Sequence, residues 1–360
     1  MGCCETRWVE GGELPSPTAR EAVSLETELP RRNLLTGGAV LAGLGALAAP
    51  GVAAAAATKH VKLAFCSQLL CVVPYEVTRA AGFFREEGLE VELVYARGGN
   101  AAMQALVGGA VDYAGTSFDV VLQAFSNGAD IRRFASTGRL PLFALATAPK
   151  RAGEITEVKA LEGRVVGVSG LGNADHALML YLLRKAGANP AKVQFATLGP
   201  NISEALRLGQ IDAGMVQEPA LTRAQKSGSR VLVNFMDLAD SQKFLGGPYE
   251  FMGIVVRTAE REKRKDEMAA LARALARGLE RVHSAPAKEL IDALPKELVA
   301  GADMAELTEI VARYRASLYP TGVAIDVAAC DRVADSLKLG GLVKDGVKAE
   351  SVLDLTIVGG

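Results

Sequence analysis

Two segments of this chain, a hundred residues apart, are built on the same pattern. Ala105-Leu106, Gly109, Val111-Asp112 and Gly128 recur as Ala205-Leu206, Gly209, Ile211-Asp212 and Gly228. Each copy begins at an Asn, Asn100 or Asn201, after a Gly-Gly or Gly-Pro turn; it runs through a short helix and ends in a strand that starts at the repeated Asp. One βαβ-type unit used twice predicts an α/β chain with two similar lobes. In open α/β sheets, ligands bind beyond the carboxyl ends of the strands, so facing lobes would border one cleft. The pattern therefore predicts a binding protein with its site between the lobes.

At 360 residues, 49% of them apolar, the chain has material for about two domains and ample core. Its 40 basic and 41 acidic residues are nearly balanced, and no basic stripe is interleaved with aromatics, which argues against a nucleic acid partner. The first segment differs in kind. Arg31-Arg32-Asn33-Leu34-Leu35 precedes an uncharged, Ala/Gly/Leu-rich run that reaches Ala57, the composition of an export leader. The paired arginines resemble a twin-arginine signal, an ordinary secretory leader being the alternative, with cleavage expected near Ala55 to Ala57. Residues 1–29 lack apolar periodicity and are excluded from the fold, and the Met1-Gly2-Cys3-Cys4 start is read as a chance match to an acylation pattern. The mature protein is expected to be soluble and periplasmic.

Of the cysteines, Cys66, Cys71 and Cys330 would remain after cleavage. Cys66 and Cys71 either pair across the first strand end or serve as small buried apolar residues; their spacing leaves both open. His60, His176 and His283 are far apart, and no Cys-x-x-Cys framework is present, so neither a metal site nor a cofactor is expected.

Along the mature chain the periodicity predicts a strand at Val61 to Phe65, a helix through Tyr75 to Phe84 and a half-buried strand at Leu89 to Tyr95. Gly98-Gly99-Asn100 caps the next helix, Thr116-Ser117 precede another from Val120, and Ile131 to Ser136 and Leu142 to Thr147 extend the first lobe. The second lobe is expected to span 148–250, opening with the β-branched run Arg164 to Ser169 and a helix stopped by Gly187-Ala188-Asn189-Pro190. Phe251 to Val256 is expected to cross back, giving a two-segment hinge. The remainder, 251–360, reads as helices packed on the first lobe: a dense charge run at Glu260 to Glu267, taken as a solvated helix start, precedes the stripe Met268, Leu271, Leu275, Leu279 and Val282.

Strand-to-helix turns present free N–H groups and a helix dipole, so a cleft built from them favours anionic or strongly accepting ligand groups. The polar residues at these turns are Ser67, Gln68, Asn100, Thr116, Ser117, Ser169 with Gly170 and Asn173, and Asn201. Capping alone is the competing role for each. Arg97 and Arg139 could clamp a carboxylate or sulfonate, or be solvated. His176 stands in the first turn of its helix, and Glu218, before Pro219, either begins a helix or faces a ligand N–H. No nucleophile elbow, metal-binding helix or phosphate loop is present, so catalysis has little support.

The phrase Ala81-Gly82-Phe83-Phe84 followed by Glu87-Gly88-Leu89-Glu90-Val91-Glu92-Leu93, the step Gly108-Gly109-Ala110-Val111-Asp112-Tyr113, and Glu218-Pro219 resemble the nitrate/sulfonate/taurine-type substrate-binding proteins of ABC transporters. The resemblance covers residues 60 to 355. It implies a class II periplasmic-binding fold, each lobe a mixed, mostly parallel sheet, and a monomer that delivers a small solute to a membrane permease served by a separate ATPase. By position, the family's ligand loops fall on Ser67 to Cys71, including Leu70 and Cys71, on Asn100, on Thr116 to Phe118, on Ser169 to Asn173 and on Gln217-Glu218. The one tryptophan, Trp8, lies before the leader, and Cys71 is an unusual cleft lining. A larger organic anion, or a pyrimidine contacted by Glu218, is therefore favoured over nitrate or a simple alkanesulfonate. A cytoplasmic enzyme on the same fold and a ligand-sensing subunit of a membrane receptor are the alternative functions; the leader argues against the first.

Overall fold

The computed structural model of the chain describes residues 58–358. The leader, its twin arginines and its cleavage site lie outside the described residues. In chain order β1 (Lys59–Cys66), α1 (Leu69–Ala80), α2 (Phe83–Glu86), β2 (Leu89–Ala96), α3 (Gly99–Val107), β3 (Tyr113–Ser117), α4 (Phe118–Ser126) and β4 (Ile131–Ser136) form the first lobe. The second comprises β5 (Ala144–Thr147), β6 (Val165–Val168), α5 (Ala174–Lys185), β7 (Gln194–Thr197), α6 (Ile202–Leu208), β8 (Ala213–Val216), α7 (Ala220–Lys226), β9 (Val231–Asn234) and α8 (Leu238–Leu245). Then β10 (Met252–Arg257) returns to the first sheet, followed by α9 (Lys265–Ser284), α10 (Ala287–Asp292), α11 (Lys296–Val299), α12 (Met304–Leu318) and α13 (Val327–Gly340).

The sheet orders are β2-β1-β3-β10-β4 and β7-β6-β8-β5-β9. Position by position the two match: β1 pairs in parallel with β2 and β3, as β6 does with β7 and β8. The antiparallel strand of each lobe is the one that lies across the chain from the rest, β10 arriving after the second lobe and β5 preceding it. This exchange corrects the expected boundary after residue 147, because β5 pairs with β8 and β9 and belongs to the second sheet. The crossings are therefore 137–143 and 235–251. They hydrogen-bond to each other: Phe251 N donates to Gly138 O at 2.9 Å and Tyr249 N to Arg139 O at 3.0 Å.

The repeat has a physical cause at its Asp. Asp112 Oδ2 accepts from Lys62 N at 2.8 Å and Asp212 Oδ2 from Val165 N at 2.9 Å, each carboxylate satisfying a neighbouring-strand N–H just before the parallel pairing begins. Each also holds an arginine, Arg264 on Asp112 at 2.6 Å and Arg151 on Asp212 at 2.8 Å. Gly109 and Gly209 take φ of 78° and 64° at the ends of α3 and α6, a left-handed conformation that side chains disfavour.

Helix α9 buries the predicted stripe, Met268, Leu271, Leu275, Leu279 and Val282, against α1 and α2; each such side chain contributes roughly 1.5–3 kcal/mol of apolar burial. The charge run before it is not merely solvated. Arg264 donates to Glu260, Glu267 and Asp112, and Tyr113 Oη donates to Glu267 at 2.7 Å. Nor does the C-terminal third rest on the first lobe alone. Helix α13 packs on both α5 and α4, Arg184 Nη1 donates to Leu339 O at 2.6 Å, and Glu306 of α12 pairs with Arg223 and Lys226 of α7. Among the described residues no helix is long and apolar enough to cross a membrane.

Candidate functional site

Parallel strands all point one way, so β1, β2 and β3 of the first lobe and β6 and β8 of the second deliver their following loops to one place. There a narrow cleft, partly open to solvent, is lined by Cys66, Gln68, Cys71, Arg97, Gly98, Gly99, Ser117 and Val120 from the first lobe. Ser169, Asn173, Ala174 and Gln217 face them from the second, and Phe143 and Phe251 of the crossings, with Met252 at the start of β10, complete the lining. Phe143 and Phe251 meet edge to face with ring centroids 6.0 Å apart. Cys66 and Cys71 are joined by a disulfide in the cleft wall, while Cys330 is a buried free thiol.

The cleft is ringed by helix N-termini. Gln68, Gly98, Ser117 and Asn173 are the N-caps of α1, α3, α4 and α5; the side chains of Gln68, Ser117 and Asn173 do not bond their helix ends, and Gly98 has none to do so. Elsewhere Asp237, Asp303 and Asp326 do cap α8, α12 and α13 with their carboxylates. At the cleft the helix ends thus lack side-chain caps, although Phe118 N donates to Phe251 O at 2.9 Å and Asn173 Nδ2 to Ser169 Oγ at 3.0 Å. Ser117 Oγ and Asn173 Oδ1 are buried without a hydrogen-bond partner, as is Thr116 Oγ1 behind Gly99. A native interior rarely leaves such atoms unpaired. Gly98 has φ of 147°, and a Cβ there would lie 3.4 Å from the Asn173 amide, so glycine lets the two lobes approach. The mouth is crossed by Gln123 Nε2, which donates to Gly172 O at 3.0 Å.

Of the residues singled out from sequence, Gln68, Cys71, Ser117, Ser169 and Asn173 line the cleft. Asn100 sits in the first turn of α3 rather than capping it, beside Gly172 of the opposite lobe. Gly170 lies behind Asn173. The remaining candidates are placed away from the lining. Ser67 and Asn201 are exposed. Leu70 is buried, its carbonyl accepting from Tyr319 Oη at 2.7 Å. Phe118 lies under the buried guanidinium of Arg133, 5.5 Å from its ring. Arg139 is turned to the end of α12, donating to Ser317 O at 3.0 Å and Ala316 O at 2.6 Å, so Arg97 is the cleft's cation. His176 Nδ1 accepts from Gly172 N at 3.2 Å and its ring packs on Phe195, and burial holds it below the ordinary histidine value. Glu218 is turned inward onto Thr222, accepting from its N at 2.9 Å and its Oγ1 at 3.0 Å, and burial pushes its carboxyl up. Its neighbour Gln217 faces the cleft instead.

Sequence reasoning also missed Val120, Phe143, Phe251 and Met252, whose only signal was position at a crossing or a first helical turn. Behind the cleft, burial pushes Asp175 up to about 6 against hydrogen bonds from Ser169, and Asp119 up to about 7 against the Tyr249 hydroxyl. Among the described residues no cluster of three His, Cys, Asp or Glu could hold a metal ion.

This architecture recurs in solved structures. A Bordetella bronchiseptica protein is 24% identical with a TM-score of 0.74, the match covering 83% of this chain and 95% of that one. The alkanesulfonate-binding protein SsuA of Xanthomonas axonopodis, bound to MOPS, is 19% identical with a TM-score of 0.66, over 84% of this chain and 100% of that one. The periplasmic nitrate-binding protein NrtA of Synechocystis is 13% identical with a TM-score of 0.65, over 84% and 87%. No curated protein matches the sequence. The family described as NMT1/THI5 like matches residues 72–289, more than half of the chain, and the chain belongs to that family.

Proposed function

We propose that the protein captures a small solute in the cleft between its lobes and hands it to a membrane permease. The observation that carries this reading is the convergence of uncapped helix N-termini from both lobes on one partly closed space, with unpartnered polar atoms facing it. A ligand touching both lobes favours their closed arrangement by its differential affinity, which is all that capture requires. The solute class is a small organic anion or a polar heterocycle. Helix N-termini and Arg97 offer donors and positive potential, and Phe143, Phe251, Met252 and Val120 offer an apolar seat.

Family membership and the alkanesulfonate- and nitrate-binding neighbours support the import setting in the periplasm; export by the twin-arginine route is proposed from Arg31-Arg32 and the apolar run that follows, and a monomer served by a separate ATPase completes the proposal. An enzyme on this fold is the second reading. Capture is preferred because, among the described residues, Arg97 is the one ionisable side chain in the lining, and Asp175 and His176 behind it are engaged with Ser169 and Gly172. Native mass spectrometry of protein from its own host should detect one retained small molecule, lost in Ser117→Ala. Turnover of that molecule by the purified protein would refute capture in favour of catalysis.

A further inference from the structure

The orientation of one amide in the second lobe carries a statement about the ligand. Asp175 is fully buried in the first turn of α5; its Oδ2 accepts from Ser169 N at 2.5 Å and its Oδ1 from Ser169 Oγ at 2.8 Å. An ionised carboxylate only accepts, so the Ser169 hydroxyl proton is committed to Asp175. Ser169 Oγ can then only accept from its other neighbour, and Asn173 Nδ2 lies 3.0 Å away. The relay Asp175, Ser169, Asn173 therefore fixes which way the Asn173 amide points. Its nitrogen faces Ser169, and its Oδ1 is buried and without a donor; both amide atoms lie beside Gly98 of the opposite lobe, 3.4 Å (Nδ2) and 3.6 Å (Oδ1) from where a Cβ there would stand. At neutral pH, above the value of about 6 to which burial pushes Asp175, the relay runs in this sense.

We infer that Asn173 is a specificity-determining residue: held by Ser169 and Asp175, it presents an acceptor that a ligand must satisfy with an N–H or O–H group. The inference rests on the capture reading and narrows it. The ligand carries a donor at this end in addition to whatever accepts from the helix N-termini and Arg97. A small anion built only of acceptors, such as an unsubstituted sulfonate, leaves Asn173 Oδ1 buried and unpaired and places two acceptors face to face. Ser117 Oγ, also buried and unpartnered, does not discriminate, because a hydroxyl donates or accepts as the ligand requires.

The test compares probes that differ by one donor. Isethionate and ethanesulfonate share the sulfonate, and 4-aminopyrimidine and pyrimidine share the ring; calorimetric titration at pH 7.5 measures each. In at least one pair the donor-bearing member binds, and its partner binds about 10- to 100-fold more weakly, the consequence of an acceptor left buried and unpaired. Ser169→Ala frees the amide to turn, so in that variant the donor-less partner binds more tightly than to the wild type, a gain that misfolding does not produce. In Asn173→Ala the two members of the pair bind within about threefold of each other. Equal binding of both members by the wild type overturns the inference, as does discrimination that survives Asn173→Ala, and so does the absence of binding by every probe. The capture reading fails separately, when native mass spectrometry of protein from its own host finds no retained molecule.

Discussion

Replacing Asp119 by Asn should change how stability depends on pH. Asp119 is fully buried in the first turn of α4, with Oδ1 accepting from Tyr249 Oη at 2.6 Å and Oδ2 without a partner. Tyr249 Oη also meets Ser336 Oγ at 2.6 Å, so the carboxyl sits where α4, the return crossing and α13 join. Burial raises its pKa from 3.8 to about 7, opposed by the tyrosine hydroxyl and, more weakly, by Arg133. A raised value means that the native state holds the proton after the unfolded chain has released it. The stabilisation is thus complete below about pH 4 and is lost as pH rises through about 7. A shift of about three units at ~1.4 kcal/mol each makes the loss about 4 kcal/mol, an upper figure because water reaches buried charges in part. Asparagine keeps the acceptor for Tyr249 and does not titrate. Urea unfolding of both proteins from pH 4 to 8 should show the variant gaining on the wild type by ~2–4 kcal/mol across that range. Asp175, Glu218 and Glu250 are also raised by burial, but they titrate in both proteins and cancel in the difference. Parallel curves for the two proteins would refute the assignment of this proton to Asp119.

Arg139→Ala should cost ~1–3 kcal/mol of stability, because the guanidinium bonds two carbonyls at the end of α12, yet leave ligand affinity unchanged; a large loss of affinity at unchanged melting temperature would place Arg139 in the cleft after all. Gly253→Ala should destabilise by ~3 kcal/mol or more: the new Cβ would lie 2.2 Å from both Ala135 O and Arg133 Nη2, forcing apart the buried Arg133–Glu250 pair. A soluble variant with wild-type chemical denaturation would contradict this packing. Reducing the Cys66–Cys71 bridge, which closes a loop of sequence separation 5, should cost ~2 kcal/mol by loop entropy, and titrating the denatured, unreduced chain with a thiol reagent should find Cys330 reactive and this pair silent.

Much of the architecture was readable because it rests on local signals. Strand and helix order follows from periodicity, and the duplicated unit from a short pattern whose Asp and Gly each answer a local need: a carboxylate on the neighbouring strand's N–H, and a left-handed turn after the helix. The strand-end loops could be named for the same reason, and Gln68, Ser117, Ser169 and Asn173 were among them. Choosing between adjacent residues was harder. Gln217 and Glu218 follow β8 directly and differ by one step of the chain, yet one faces the cleft and the other turns onto Thr222. Arg97 and Arg139 both stand in turns, and only the position of α12, nearly 180 residues beyond Arg139, decides which is drawn away.

By itself, then, the order of residues determined that this chain is a doubled α/β unit with polar loops at its strand ends, because hydrogen bonding and side-chain periodicity act over a few neighbours. Only the tertiary structure decided that β5 and β10 are exchanged between lobes, that Phe143 and Phe251 meet under the cleft, and that α13 touches both halves. It also decided that Asn173 offers its oxygen, since that depends on which group meets Ser169, and Ser169 on a carboxylate that water cannot reach. Such choices come from packing distant segments into one space, where each buried polar atom must find a partner among groups that local pattern does not bring together.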